Sequence, residues 1–335
     1  MKTSIVPIFI PHLGCPHLCT FCNQKKISGT LKAPDRIDII SLVDEYISAD
    51  ISKVYEIAFF GGSFTALEME MQKYYLETAA MLKKEKKIVK IRYSTRPDAI
   101  SEQVLELSKM YSVDIIELGL QSMDNKVLEL AERGHTAEDT INAGKLIKKY
   151  DFSLGLQIMP GLMGDNEETI LRTFNIAASL EPDFVRIYPT IVIKGTKLED
   201  YYNNKEYIPI DLQKMVELTA KGWELFEKKG IKVIRMGLQH SENLTSEKDL
   251  IAGPYHPAFG ELVFSEVFKN KIISIIENRK IKEGNELVLK INPGELSKAR
   301  GHKNYNINII KRTYNIDLKF IPDMSIKKGQ IETEV

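Results

Sequence analysis

The sequence predicts an α/β chain: a partial (β/α)6 barrel followed by a small α/β unit. Three observations predict it. Short runs rich in β-branched and aromatic residues alternate with longer amphipathic stretches through about 230 residues, a pattern that implies parallel strands with helices outside. The length, 335 residues, suits one large domain and a small one. The chain has zero formal net charge, yet Lys269 to Val335 carries 14 Lys+Arg against 8 Asp+Glu, which sets the end of the chain apart.

The strands expected in order are Ile5–Ile10, Glu56–Phe60, Ile88–Ser94, Ile115–Gly119, Ser153–Met159, Phe184–Tyr188 and Lys232–Met236. Between them, helical periodicity covers Asp35–Ala49, Glu68–Lys84, Ser101–Lys109, Asp124–Arg133, Ala137–Lys149, Glu167–Leu180 and Leu212–Lys229. Pro11 interrupts the first apolar run, which reads as a strand and not a signal peptide. No apolar stretch approaches the length of a membrane span, so no membrane partner is expected. Hydrophobic residues make up 43% and charged residues 27%, the composition of an ordinary globular protein. The polar stretch Asn243–Asp249, followed by Gly253-Pro254, marks a boundary. The expected domains are therefore 1–245 for the barrel, 246–284 for a connecting helical segment and 285–335 for a small basic α/β domain.

In a parallel barrel the chemistry gathers at the C-terminal ends of the strands. The three cysteines of the chain, Cys15, Cys19 and Cys22, follow the first strand directly, spaced C-x3-C-x2-C. Thiolates at this density can hold one iron–sulfur cluster. Three ligands leave one iron of a cubane without a protein ligand, open to a small molecule. A structural zinc site needs four protein ligands and would have to draw on His12 or His17. A disulfide would strand one thiol, and structural buried cysteines are expected to scatter along the chain. Gly61-Gly62-Ser63-Phe64-Thr65 follows the second strand at the same end. Paired glycines let the backbone approach a ligand, and Ser63 and Thr65 add hydroxyls.

With Tyr93-Ser94-Thr95-Arg96-Pro97-Asp98, Glu117-Leu118-Gly119-Leu120-Gln121-Ser122, Glu132-Arg133-Gly134-His135-Thr136 and Leu156-Gln157-Ile158-Met159-Pro160-Gly161-Leu162, these motifs resemble the radical S-adenosylmethionine (radical SAM) superfamily. The branch is the one holding the Elongator catalytic subunit and oxygen-independent coproporphyrinogen oxidase. Val185-Arg186-Ile187-Tyr188-Pro189 and Ile251-Ala252-Gly253-Pro254-Tyr255-His256 are closer to the Elongator side. The resemblance spans roughly residues 5 to 265. It implies a TIM-like radical SAM barrel, a [4Fe-4S] cluster on Cys15, Cys19 and Cys22, and S-adenosyl-L-methionine on the open iron. Phe21 is then expected near the adenine, and Gly61, Gly62 and Ser63 at the methionine part. Ser94, Gln121, Arg133 and Gln157 fall at cofactor-contacting positions, Arg133 facing the carboxylate. Gln157 stands where the porphyrin branch has Asp, which argues against a porphyrin substrate. Read singly, Ser94 also suits an N-cap, Arg133 a surface ion pair and Gln157 a polar strand end.

The implied chemistry is reductive cleavage to methionine and a 5′-deoxyadenosyl radical that abstracts a hydrogen atom from carbon. No further cysteine exists to ligate an auxiliary cluster. The Elongator subunit pairs its radical SAM domain with an acetyltransferase acting on tRNA wobble uridine. This chain ends too soon to hold that domain, so acetyl-CoA chemistry is not carried over with the resemblance; an electron donor such as flavodoxin or ferredoxin is expected, and a separate acyl-transferring partner is one option the resemblance leaves open.

The last seventy residues read as strand Glu286–Ile291, helix Glu295–Ala299, the loop Gly301-His302-Lys303-Asn304, helix Tyr305–Thr313 and strand Ile316–Phe320. That order resembles a KH domain, whose Gly-x-x-Gly loop clamps a nucleic-acid backbone. Asn304 replaces the last glycine and tolerates a left-handed backbone. Lys298, Arg300, Gly301, Lys303, Lys311 and Arg312 are the residues expected to meet phosphates. A solvated basic face is the plainer reading. His240 and His256 suit structural roles, Tyr188 and Tyr255 the barrel wall, and Trp223 a helix core. Together the expectation is a cytoplasmic radical SAM enzyme modifying RNA, tRNA first, at a carbon centre. The same residues also fit a radical enzyme acting on a small molecule, or a non-enzymatic iron–sulfur RNA-binding protein.

Overall fold

The structure is a computed structural model that describes residues 3–10, 15, 18–23, 32–238 and 249–333. His12, His17, His240 and most of the Asn243–Asp249 boundary lie outside them. The chain forms two compact units, Met1–Asp211 with Leu225–Tyr255, and Leu212–Glu224 with His256–Val335.

In the first unit β1 (Thr3–Ile10), α1 (Arg36–Ala49), β2 (Val54–Gly61), α2 (Met69–Lys84), β3 (Lys90–Thr95), α3 (Glu102–Met110) and β4 (Ile115–Gln121) open the alternation. Then come α4 (Asn125–Leu130), α5 (Ala137–Lys149), β5 (Ser153–Ile158), α6 (Glu167–Ser179), β6 (Phe184–Ile187), β7 (Val192–Ile193), α7 (Lys197–Asn203), α8 (Leu212–Lys228), β8 (Lys232–Met236) and β9 (Leu250–Ala252). Seven strands pair in the order β1-β2-β3-β4-β5-β6-β8, every pair parallel. The sheet curls into a half-barrel, the partial barrel the alternation predicts. Helix starts are locally encoded: Asp35 with Asp38, Thr136 with Asp139 and Asn166 with Thr169 form capping boxes for α1, α5 and α6.

Because side chains alternate along a strand, the register separates two faces. Val6, Ile8, Ile57, Phe59, Ile91, Tyr93, Ile116, Leu118, Leu154 and Leu156 all lie on one face and are buried. The other face carries Glu56, Arg92, Ser94, Glu117, Gln157 and Arg186. Apolar packing holds the first face; the second is polar, so the strands do not read as uninterrupted apolar runs.

Two elements escape sequence periodicity. β7 and β9 pair antiparallel at the rim across Val192↔Ala252, and two or three residues are too few to set a period. The seven-residue α7 starts at Thr196, whose side chain accepts from Glu199 N–H.

The second unit takes α8 up to Glu224 and continues with α9 (Phe259–Arg279), β10 (Glu286–Ile291), α10 (Leu296–Arg300), α11 (Tyr305–Tyr314), β11 (Asp317–Pro322) and β12 (Ile331–Thr333). β10 is central, parallel to β11 and antiparallel to β12. Its core joins Ile272 and Ile276 of α9 to Leu287, Leu289, Ile310 and Ile316. No described helix is long and apolar enough to cross a membrane.

Candidate active site

Strand ends and the loops after them build the site. Cys15, Cys19 and Cys22 are half-buried on the loop following β1. A turn closed by Cys22 N–H on the Cys19 carbonyl (3.0 Å) holds the last two together. Thr20 N–H hangs this turn on the carbonyl of Ala131 (3.1 Å), and the Thr20 carbonyl accepts from Leu198 N–H (2.8 Å). Phe21 packs with Val127, Ala131 and Leu162 on one side and Val192 and Leu198 on another. Among the described residues no three His, Cys, Asp or Glu side chains converge as a finished metal site; the cysteines share a loop without being drawn to one point.

The glycine-rich loop lies beside them. Gly61 pairs with Ile10 at the end of β1, with φ +110°, and a Cβ there would stand 2.9 Å from the Ile10 carbonyl oxygen. Only glycine relieves both constraints. Gly62 N–H donates to the same carbonyl at 2.9 Å. Ser63 is buried, and its hydroxyl is shared with Thr95 Oγ1 (2.9 Å) and accepts from Arg96 N–H (3.1 Å). Thr65 Oγ1 joins Thr95 at 2.6 Å. Ile10, Phe60, Gly62, Ser63, Phe64 and Ser94 line a shallow pocket that opens to solvent.

On the fourth strand a register shift between Leu118 and Gln121 re-aims the strand end, as bulges beside sites do. Gln121 sits there with φ +60°, buried, its Oε1 without a hydrogen-bond partner among the described residues. Arg133 is held between positive-φ residues Glu132 and Gly134. It is buried, and no surface ion pair: Nη2 donates to the Gly119 carbonyl at 2.8 Å, Nη1 donates to Cys19 Sγ at 3.3 Å, and Nε is buried without a partner among the described residues. At Gly119 a Cβ would lie 2.8 Å from Gln121 Nε2 and 3.4 Å from Arg133 Nη2, so any larger residue would displace those two side-chain ends. His135 donates from Nε2 to the Leu120 carbonyl (3.2 Å), and burial and then the Arg133 charge push its imidazole down to about 4, so it is neutral.

Across the polar face a charge ladder runs from Glu56 through Arg92 (2.6 Å) to Glu117 (3.0 Å) and Arg186 (2.8 Å). Gln157 Nε2 bridges Ser94 Oγ (3.2 Å) and Glu117 Oε2 (3.3 Å), so Ser94 is an acceptor within the sheet and not a helix cap. Burial works against the Arg186 charge, yet Glu117 and Tyr188 hold its pKa above the ordinary value. Glu56, Arg92, Glu117 and Arg186 have no role assigned from sequence; charged residues inside strands that otherwise read as buried are the available signal. His256 Nδ1 accepts from Ala258 N–H (3.1 Å), a turn contact.

The donor chemistry fits an iron–sulfur cluster: three soft thiol ligands on one loop, with a guanidinium against one of them. The two partnerless atoms, Gln121 Oε1 and Arg133 Nε, together with the narrow approach at Gly61–Gly62, fit a polar cofactor beside it.

In the second unit, Gly301, Lys303 and Asn304 all have positive φ (76°, 50° and 61°). Asn304 takes the left-handed conformation anticipated for it. Lys298 lies over the Phe264 ring at 4.4 Å and Lys311 pairs with Asp317 at 2.7 Å, whereas Arg300, Lys303 and Arg312 are exposed. Trp223 packs edge-on to Phe264, ring centres 5.6 Å apart.

The profile of the Radical SAM superfamily matches residues 9–177, and that of a Radical SAM C-terminal domain matches residues 182–269. An uncharacterized protein of Methanocaldococcus jannaschii is 32% identical over 232 residues, covering 65% of this chain and 70% of that protein. A tRNA uridine(34) acetyltransferase of the same organism is 30% identical over 185 residues, covering 49% of this chain and 34% of that protein. The chain thus spans about a third of the length of that relative. The solved structure of archaeal Methanocaldococcus infernus Elp3, with an N-terminal deletion, shares the fold at a TM-score of 0.63 and 21% identity over 85% of this chain and 66% of that one. The match runs through the cysteine loop, the glycine-rich loop and the Arg133 turn, and the chain belongs to the radical SAM superfamily of enzymes.

Proposed function

We propose that the chain is a radical SAM enzyme that binds a [4Fe-4S] cluster and S-adenosyl-L-methionine and acts on RNA, with tRNA as the first substrate to test. The observation that carries the cofactor reading is the Arg133 guanidinium against Cys19 Sγ beside the partnerless Gln121 Oε1. When bound, the pair supplies reductive cleavage of the cofactor and a carbon radical that abstracts hydrogen. Cys15, Cys19 and Cys22 hold the metal. Gly61 and Gly62 keep the β2 end free of side chains, and Ser63 fixes their loop through Thr95 and Arg96. Arg133 orients against the loop carrying Cys19 and presents positive charge to a carboxylate. Phe21 offers an apolar surface, while Ser94 and Gln157 place hydrogen-bonding groups on the open side of the sheet.

The RNA half of the proposal has two supports. Relatives named as tRNA uridine(34) acetyltransferases align with about half of the chain. In the second unit, strand, helix, left-handed loop, helix and strand follow in the KH-like order, and Arg300, Lys303 and Arg312 display charge to solvent around that loop. An external electron donor such as flavodoxin or ferredoxin completes the reading.

The test is anaerobic. The protein is reconstituted with iron and sulfide, reduced and given S-adenosylmethionine, and 5′-deoxyadenosine is quantified with and without bulk tRNA. Product that rises with tRNA supports both halves. Product indifferent to tRNA retains the radical chemistry and directs the search to small molecules. No product from an assembled cluster overturns the enzymatic reading in favour of an iron–sulfur binding protein.

A further inference from the structure

Arg96 is buried at the end of β3, where solvent cannot stabilise its charge, and its bonds explain its presence. Nε and Nη2 donate to the two oxygens of Asp98 at 2.9 and 3.0 Å, a fork-to-fork pair two residues apart. Nη2 also donates to the carbonyl of Arg133. On the main chain, Arg96 N–H donates to Ser63 Oγ in the glycine-rich loop. One residue therefore touches the loop after β2 through its backbone and the Arg133 turn through its side chain. The Arg133 turn in turn holds the cysteine loop twice, through Ala131 to Thr20 and through Arg133 to Cys19.

We infer that Arg96, clamped by Asp98, is a positioning residue that locks the glycine-rich loop and the cysteine loop into one frame by gripping the Arg133 carbonyl. Arg133 carries positive-φ neighbours on both sides, Glu132 at +52° and Gly134 at +70°, a backbone that persists only where its surroundings over-determine it. The Arg96 side chain is a surrounding contact of that kind from another strand. Asp98 holds the guanidinium plane so that one nitrogen must face the turn. A lysine there has a single nitrogen and cannot bridge carboxylate and carbonyl with the same geometry. The inference deepens the proposed cofactor site, and its test is built to fail separately from that proposal.

The variants are Arg96→Gln and Asp98→Asn, with Arg96→Lys as the conservative comparison. Hydrogen exchange on the iron-free protein reads the frame itself. The amides of Thr20 and Arg133, donors to Ala131 and Leu128, should exchange about tenfold faster in Arg96→Gln while those of α5 keep their rate. Unchanged protection at both amides overturns the inference, whatever the loaded protein does. After reconstitution, S-adenosylmethionine is titrated against the electron paramagnetic resonance signal of the reduced cluster. Binding should weaken about tenfold in Arg96→Gln and Asp98→Asn at unchanged iron content, with Arg96→Lys recovering part of it. Equal affinity in all variants also overturns it. Wild-type protein that binds no S-adenosylmethionine refutes the cofactor site, and exchange alone then decides the role of Arg96. Should Arg96→Gln fail to fold, Asp98→Asn carries both measurements.

Discussion

Arg133 donates a hydrogen bond to the sulfur of Cys19 at 3.3 Å across 114 positions of sequence. Its other terminal nitrogen is fixed on the Gly119 carbonyl, so the guanidinium has little freedom to turn away. Replacing Arg133 with Ala should leave iron incorporation intact and weaken S-adenosylmethionine binding by about 30-fold, the loss of roughly 2 kcal/mol expected for a hydrogen bond to a charged group. Equilibrium binding to the reconstituted protein, with iron counted in parallel, measures it. Unchanged affinity would remove Arg133 from the site.

Glu117 is fully buried and shared by Arg92 and Arg186. Glu117→Gln leaves two guanidiniums short of countercharge and should cost about 3–5 kcal/mol. Adding Arg186→Gln should return part of that loss. Denaturant unfolding of both singles and the double variant gives the coupling; strictly additive losses would mean the ladder is not energetically connected.

Gly119→Ala places a methyl group where Gln121 Nε2 and Arg133 Nη2 converge. The expected outcome is weaker cofactor binding, about tenfold or more, in a protein whose melting temperature changes little, because the methyl displaces side-chain ends and not core backbone. A large drop in melting temperature with normal affinity would contradict it.

The buried His135 and the half-buried Asp165 give opposite pH dependences. His135 has its pKa pushed from 6.5 down to about 4 by burial and then by Arg133, so between those values the unfolded chain binds a proton that the folded chain does not. Its contribution is full above pH 6.5 and falls by about 3 kcal/mol as the pH drops toward 4. Burial raises Asp165 from 3.8 to about 6, so its contribution is full below pH 3.8 and is lost as the pH rises through 6. The two contributions should therefore nearly cancel between pH 4 and 6. Asp165→Asn should steepen acid loss, and His135→Gln should leave a stability that declines as pH rises. Denaturation midpoints across pH 4 to 7 test both signs.

Exposed Lys303 and Arg312 lie in and beyond the loop with three left-handed residues. Changing both to Glu should reduce retention on tRNA at low salt and lower the slope of log affinity against log salt by about 1 for each phosphate no longer neutralised. A slope equal to that of the wild type would assign these charges to solvation only.

Much of the frame is legible in the sequence. The strands Lys232–Met236 and Glu286–Ile291 and the helix Ala137–Lys149 lie where pattern and caps predict them. Asn304 adopts the left-handed backbone its side chain tolerates. The cysteine and glycine motifs are visible because their spacing is local. Arg96 sits inside a recognisable motif, yet sequence assigns it no role, since its partner Arg133 lies 37 residues away and nothing local announces the bond. The ladder escapes for a related reason: Glu56, Arg92, Glu117 and Arg186 come from four strands, and only the sheet register aligns them. Helix α9 is expected from sequence only as part of a connecting segment, because it is buried around much of its circumference and shows no single apolar stripe.

The alternation of faces along the strands has a consequence for how such a protein can diversify. Tyr93 and Leu156 are packed in the core, while Ser94 and Gln157, one residue on, are only half-buried on the opposite face. Neighbours in sequence thus belong to separate physical compartments. Changes at Ser94 and Gln157 alter the polar face without opening a void beneath the helices, so under the proposed function a library confined to such positions tests selectivity while the apolar core stays intact.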